Sequence, residues 1–406
     1  MSGCLISLED YRPLIGDEAC ERIRAKAAAL RGLRVLNFSS TYYGGGVAET
    51  LTSMTLLMNS IGIRSEWRII QGTPDYFSVT KKMHNALQGD SINFSVFKRR
   101  IYEQVVFENA IRNRIDHDFV VVHDPQPLPL IEHYKKNCPW IWRCHLDLTN
   151  PHPRVWSYLR KWIDHYDAVI LSCPNYRQAL PQPQLIFWPA IDPFNTKNRT
   201  LNRRITKQRL ARHGIPTDLP IIAQISRFDP WKDPEGVIEA FQIAQRRRGA
   251  RKARLVLLGN FATDDPEGAK IFESLCGSRS DSILVLARGD DTSLVNALQR
   301  SAQVVLQKST REGFGLTVSE AMWKGTPVIG GNVGGIPLQI ENGVNGFLTS
   351  SIEETADRVA ELLKDERLCR KLGKHGRSTV KKKFLLTRYM EQYLDLYLSP
   401  PSPIEK

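Results

Sequence analysis

No run of about 18 apolar residues occurs anywhere in the 406-residue chain, so no transmembrane helix is expected. The first stretch, MSGCLISLEDYRPLIGDE, mixes acids with apolar side chains; it has neither the basic start nor the apolar core of a secretory leader. The seven cysteines, at positions 4, 20, 138, 144, 173, 276 and 369, are scattered, odd in number and never arranged as CxxC. That pattern argues for reduced thiols in a cytoplasmic protein rather than for a disulfide framework or a zinc site. Basic residues are not interleaved with aromatics, which argues against a nucleic-acid partner. No amphipathic, aromatic-rich helix is apparent, so stable membrane insertion is not expected either.

What the chain does have is ample core material, with 42% hydrophobic and 24% charged residues. Its net charge of +13 favours an anionic ligand or surface. The excess is local, in Lys98-Arg99-Arg100, Arg203-Arg204, Arg246 to Arg248 with Arg251-Lys252, and Lys381 to Lys383; most of these read as solvated helix faces or loops. At roughly 100–200 residues per domain, the length implies two domains or three.

A helix is expected over about 17–31, after which short apolar strands alternate with helices. Strands are predicted at Arg34–Phe38, Glu66–Ile70, Phe119–Val122, Trp140–Cys144, Ala168–Leu171 and Leu185–Phe187. The glycine-ending loop Ser39 to Gly46 leads into a helix whose apolar face is Val47, Leu51, Met54, Met58 and Ile61. Residues 189–220, with Pro189, Pro193 and Pro216, interrupt the alternation, which restarts at Ile221–Ile225 and continues through Arg254–Leu258, Ile283–Leu286, Val304–Gln307 and Pro327–Ile329. Such alternation implies parallel, doubly wound sheets whose ligand loops lie at the carboxyl ends of the strands. The expected organisation is a Rossmann-like domain over 1–200, a second over 201–383, and a C-terminal helix in 384–406 that packs back toward the first.

The most informative stretch runs from Lys308 to Gly330. A strand ends near Lys308, a loop carries Glu312, Gly313, Phe314 and Gly315, and a helix begins at about Leu316. Two glycines let backbone N–H groups approach a ligand, and the helix N-terminus offers unpaired N–H groups and the positive end of its dipole to a phosphate. Glu312 can accept sugar hydroxyls from the loop, and Glu320, eight residues on, can reach ribose hydroxyls.

The Glu312-x7-Glu320 pattern, with Gly313-Phe314-Gly315 inside it, resembles the donor-binding motif of retaining GT-B glycosyltransferases of family 4. Ser226-Arg227-Phe228-Asp229-Pro230-Trp231-Lys232 resembles that family's Arg and Lys pair. Val333-Gly334-Gly335-Ile336-Pro337 and Asn342-Gly343-Val344-Asn345-Gly346-Phe347 resemble its later glycine loop and turn, and Gly44-Gly45-Gly46 its N-terminal loop. Gly44 to Glu49, His123 to Gln126, Trp142 to Asp147, Ser226 to Lys232 and Arg311 to Gly325 look most like the trehalose synthases of glycosyltransferring type. The resemblance covers most of the chain, in order.

It implies an α/β fold of two Rossmann-like, doubly wound domains facing across a cleft. It also implies reversible, retaining transfer of glucose from a UDP-, ADP- or GDP-glucose to free glucose, giving α,α-trehalose. On that basis Arg227, Lys232, Glu312 and His145 are the catalytic candidates. Donor contacts are assigned to Gly45, Gly46, Gly259, Arg288, Gly313, Phe314, Gly315, Leu316, Thr317 and Glu320 as well, and acceptor contacts to His123, Asp124, Gln126, His84 and Asn85. Since no second carboxylate stands where a nucleophile would have to be, front-face attack is expected, with Arg227, Lys232 and the Leu316–Thr317 amides stabilising the departing nucleotide. A metal-dependent transferase of the other architecture would show Asp-x-Asp at a strand end. The adjacent acids Asp264-Asp265 and Asp290-Asp291 read as loop caps instead, and no metal or other cofactor is expected. Partners are then the nucleotide-glucose and glucose or trehalose; a homodimer is compatible with the sequence. The alternatives are a trehalose phosphorylase of the same architecture, a family 4 relative acting on another sugar or a lipid, and a non-catalytic sugar-nucleotide sensor. The residues do not distinguish uracil from adenine or guanine.

Overall fold

Three strands in the first half of the chain, FVVVH, WIWR and AVIL, are buried along their whole length, as strands covered on both faces of a parallel sheet must be. A computed structural model describes residues 6–43, 45–247, 251–260 and 266–401. It contains β1 (Arg34–Ser39), β2 (Arg64–Ile69), β3 (Phe119–His123), β4 (Trp140–Arg143), β5 (Ala168–Leu171) and β6 (Gln184–Ile186). These form one six-stranded sheet in the order β2-β1-β3-β4-β5-β6, parallel throughout. The second sheet contains β7 (Ile221–Arg227), β8 (Arg254–Asn260), β9 (Ile283–Ala287), β10 (Ala302–Gln307), β11 (Val328–Gly331) and β12 (Phe347–Thr349). It too is wholly parallel, in the order β12-β11-β10-β7-β8-β9.

The chain divides into two compact units. Met1–Pro189 with Leu386–Lys406 forms the first and Ala190–Leu385 the second. In the second unit a core on one face of the sheet brings Ile222, Leu255, Leu257, Val304, Leu306 and Ile329 against Phe241, Val359 and Leu363 of the flanking helices. Among the described residues, no helix is long and apolar enough to cross a membrane.

Local differences from the sequence expectations have physical causes. Strand β2 begins at Arg64, before the expected Glu66, because it is the edge strand and its exposed side carries Arg64, Glu66 and Arg68 instead of an apolar run. A helix at Leu8–Ile15 precedes the expected N-terminal one and contains Pro13, which disguises it in the sequence. Its start is set by Asp10, whose carboxylate accepts the Ser7 N–H at 2.7 Å. The basic run Lys381 to Lys383 forms the exposed last turn of the helix Glu366–Lys383, where cations favour the negative end of the helix dipole.

The helix Leu386–Leu398 belongs to the first unit. Its Tyr393 is 3% exposed and packs edge-on against Phe187 (ring centroids 5.2 Å apart) and Tyr389 (5.1 Å). Arg388 donates to the Trp188 carbonyl at 2.6 Å, and Arg22 and Lys26 from the helix Asp17–Ala29 grip Glu391 at 2.6 and 2.9 Å. Replacing Tyr393 with Ala removes a buried ring without a substitute. We expect it to lower the free energy of unfolding by about 3–5 kcal/mol in a denaturant titration.

Candidate active site

In the second unit the strand order reverses at the pair β7 and β10, which lie side by side while their successors run outward in opposite directions. At such a point two loops diverge and leave a crevice above the carboxyl ends of the strands. Arg227 closes β7 and Gln307 closes β10. The loop after β10 is shaped by Gly315, whose φ of +82° is left-handed, and by Gly335, where a Cβ would lie 2.6 Å from Phe314 Cα and 2.8 Å from the Gly313 carbonyl. The Gly335 N–H bonds the Glu312 carbonyl at 3.3 Å, and the Gln339 amide donates to the carbonyls of Phe314 (2.6 Å) and Gly315 (3.2 Å). The loop is therefore fastened from behind by the Val333–Pro337 segment, and it delivers the chain to the helix Leu316–Trp323 with Gly315 as N-cap. Leu316 and Thr317 are its first residues, whose N–H groups precede the intrahelical bonds.

Lys232 and Glu312 meet directly, Nζ to Oε2 at 2.6 Å. The same oxygen accepts from Gln307 Nε2 at 3.0 Å and Ser309 Oγ at 3.2 Å. Arg227 is held at 3.1 Å by Asp229, whose other oxygen accepts the Trp231 N–H at 2.9 Å. Two cations and a helix N-terminus thus share one strand-end region. Gly259 is the penultimate residue of the neighbouring β8 and packs under the Phe228 ring, while Arg288 follows β9 and is exposed.

Glu320, expected to reach ribose hydroxyls, is held by other groups of the protein. It is 1% exposed; Lys197 holds Oε1 at 2.8 Å and Gln299 donates to Oε2 at 3.2 Å. Burial alone would raise its pKa, but the charges of Lys197 and Lys324 outweigh it and hold the carboxyl below its usual value. Lys197 comes from a segment, Thr196 to Arg199, whose carbonyls are tied to Asn296 and Arg300.

In the first unit the reversal lies between β1 and β3. His123 ends β3, and His145 lies two residues beyond the end of β4. Their rings stack at 5.4 Å with an interplanar angle of 14°, and His123 Nδ1 lies 3.1 Å from His145 Nε2. His123 Nε2 lies 3.1 Å from Asn37 Oδ1, and His123 is 2% exposed. Expected at the acceptor, His123 is buried here, with both ring nitrogens engaged by Asn37 and His145. Desolvation, helped by the buried Arg143 charge, lowers the pKa of His123 to about 3 and that of His145 well below its ordinary value, so both rings are neutral.

Asp124 adopts a left-handed backbone with φ of +61°, which is uncommon for a residue other than glycine. Its Oδ1 accepts the His145 N–H at 2.8 Å, and its carbonyl accepts Trp142 Nε1 at 3.1 Å. Gln126 sits in the same loop; its carbonyl accepts the Tyr76 hydroxyl at 2.7 Å, and its buried Oε1 has no hydrogen-bond partner. Tyr76 belongs to the helix Pro74–Leu87, whose last turn carries His84 and Asn85, both half-buried. Gly45, with φ of +80°, and Gly46 open the helix Gly45–Ser60; Gly44 lies outside the described residues. Asp291 caps the helix Thr292–Ser301, accepting from Ser293 N–H at 3.0 Å and Leu294 N–H at 2.9 Å, whereas Asp264 and Asp265 lie outside the described residues.

Asn37, Gln307, Ser309 and Lys197 had no place among the sequence candidates. For Asn37 and Gln307 there was a signal, since each is a polar residue directly following apolar residues in a parallel strand. Lys197 had none, because its partner Glu320 is 123 positions away in the numbering.

A sequence model described as "Trehalose synthase, N-terminal domain" matches residues 37–178, and one described as "Glycosyl transferases group 1" matches residues 206–379. The trehalose synthase of Thermococcus litoralis is 41% identical over 399 residues, 96% of each chain. The chain belongs to the trehalose synthase family. It is therefore a glycosyltransferase concerned with trehalose. The trehalose synthase of Rubrobacter xylanophilus is 39% identical over 404 residues, again 96% of each chain. The trehalose phosphorylase of Pleurotus pulmonarius is more distant, 27% identical over 92% of this chain and 58% of its own length. Among solved structures, sucrose-phosphate synthase from Thermosynechococcus elongatus superposes with a TM-score of 0.69 at 18% identity, covering 90% of this chain and 98% of that one. A structure described as "Trehalose-6-phosphate from E. coli bound with UDP-2-fluoro glucose" gives 0.72 at 14%, covering 91% and 100%. These two fix the fold class as GT-B, an α/β pair of Rossmann-like domains.

The environment of Asp124 has a measurable consequence for this trehalose synthase family member. Burial pushes its carboxyl from 3.8 up to about 7, against the opposing pull of the His145 N–H and Arg143. An acid whose folded pKa exceeds its unfolded value takes up a proton on folding between the two. Its contribution to stability is full below the lower value and is lost as pH rises through the upper one. We expect Asp124→Asn, which cannot ionise, to lose less stability than the wild type between about pH 4 and about pH 7 in parallel denaturant melts.

Proposed function

We propose that the enzyme moves glucose from a nucleoside diphosphate glucose to the anomeric hydroxyl of free glucose, reversibly and with retention, forming α,α-trehalose. The observation that carries this reading is the Lys232–Glu312 pair at 2.6 Å beside Arg227 and the N-terminus of the helix Leu316–Trp323. A diphosphate leaving group gains charge as the C1–O bond to phosphate breaks, and two fixed cations with oriented N–H groups are suited to stabilise it. Glu312, oriented by Lys232, Gln307 and Ser309, is placed to accept hydroxyls of the transferred sugar.

The acceptor oxygen forms the new bond to C1 on the face from which phosphate departs, and its proton passes to a phosphate oxygen. No protein nucleophile is required. In the first unit, His145 and the Asp124–Gln126 loop are the proposed sugar contacts, with Gly45 and Gly46 allowing close backbone approach. His84 and Asn85 stand on a helix tied to that loop and extend the proposed acceptor side. Gly259 and Arg288 are assigned to the diphosphate and base side. No metal is assigned a role, since Arg227 and Lys232 supply the positive charge. The six described cysteines are all free thiols, buried or partly so, which supports a reducing, cytoplasmic setting.

Product analysis tests the proposal. The purified enzyme, incubated with glucose and UDP-, ADP- or GDP-glucose, is expected to form α,α-trehalose with at least one of them, in chelator as well as without it. Formation only from glucose 1-phosphate would establish the phosphorylase reading instead, and no disaccharide under any condition would refute both. Arg227→Ala or Lys232→Ala is expected to cut turnover by about 100-fold or more. Near-normal rates in both variants would remove the leaving-group role.

A further inference from the structure

Asn37, on β1, is 7% exposed, and its amide faces two groups. Nδ2 lies 3.4 Å from Ser65 Oγ, and Oδ1 lies 3.1 Å from His123 Nε2. An amide oxygen only accepts hydrogen bonds, so the proton of this contact belongs to His123 Nε2. A neutral imidazole carries one N–H, which leaves His123 Nδ1 with its lone pair. That lone pair faces His145 Nε2 at 3.1 Å, so His145 must donate there. Neutral His145 then has no second proton, and its Nδ1 is a bare acceptor. His145 Nδ1 makes no hydrogen bond to another described residue, and His145, unlike His123, is only half-buried. Asp124 fixes the His145 backbone through the N–H it accepts at 2.8 Å, so the ring is held from both ends.

We propose that Asn37 and His123 are positioning residues that lock His145 in its Nε2–H tautomer, presenting Nδ1 as an obligate hydrogen-bond acceptor to a hydroxyl of the bound sugar. This deepens the proposal that His145 contacts sugar and rests on it. The consequence is directional. The sugar hydroxyl must donate its hydrogen to the protein, and its oxygen is left to accept from elsewhere. A histidine free to exchange tautomers would accept either polarity and would hold the hydroxyl less firmly. The direction is set by an amide on β1, two strands across the sheet from β4, which leads to the ring it controls.

The tautomer can be read without any turnover. In selectively 15N-histidine-labelled protein, long-range nitrogen–proton spectra distinguish a protonated ring nitrogen from a bare one, and His145→Gln identifies the resonances by their loss. The expected wild-type pattern is a bare Nδ1 and a protonated Nε2 on His145, unchanged across neutral pH. Asn37→Leu, of similar volume but unable to accept, is expected to mix or reverse the tautomers and to lower kcat/KM by about 10- to 100-fold, the usual range for losing an outer partner that fixes a histidine. Asn37→Asp retains an acceptor and is expected to keep the wild-type tautomer, which separates loss of the hydrogen bond from general damage at the site. A protonated Nδ1 in the wild type, or an unchanged tautomer in Asn37→Leu, overturns the proposal. If the tautomer is as stated but no trehalose forms, the tautomer assignment stands and the functional reading fails.

Discussion

Both sheets are parallel from edge to edge, and this one constraint determines where chemistry can occur. Every strand releases its chain at the same edge of its sheet, so each loop that carries a polar or charged group emerges beside the others. Where the winding reverses, two such loops separate instead of crowding. Arg227 and Gln307 end adjacent strands at the reversal of one sheet, and His123 ends a strand at the reversal of the other. The ion pair of Lys232 with Glu312 and the histidine stack both follow from that geometry. The glycines act on the same principle at shorter range. Gly335 has no room for a side chain, and its closeness to Phe314 keeps the loop after β10 in place.

The two sets of groups differ in electrical character. In the second unit Arg227, Lys232 and Glu312 are ionic and retain partial access to solvent. In the first unit the histidines are neutral, kept so by burial and by the nearby guanidinium of Arg143. Glu320 belongs to neither pattern. Its buried pairing with Lys197 makes it a joint between the helix Leu316–Trp323 and the Thr196 to Arg199 segment.

The sequence reveals the parallel class and most strands because fully buried strands read as unbroken apolar runs: Val120 to Val122 and Leu255 to Leu258 are examples. It reveals β2 less well, since an edge strand exposes one face. The strand order, and with it the positions of both reversals, has no signature in any local pattern. The Glu312 to Glu320 segment is legible because its glycines and carboxylates are contiguous. The surroundings of His123 are hidden for the opposite reason. A histidine at a strand end looks available to a ligand, and only the positions of Asn37 and His145 show that both of its nitrogens are taken. Lys197 is invisible in the sequence for a similar reason, as burial of Glu320 depends on which segment crosses it.

The first unit is not a continuous length of polypeptide. Residues 190–385 fold as a separate body before the chain returns to supply Tyr389, Tyr393 and Glu391 to the unit it began with. During synthesis, the earlier unit therefore leaves the ribosome without the aromatic ridge that Phe187 packs against. It must wait, with that surface uncovered, for the whole of the other unit to be made. The second unit has all its strands by Thr349 and faces no such delay. For a ribosome adding about 5–20 residues each second, the order of completion is then the reverse of the order of translation.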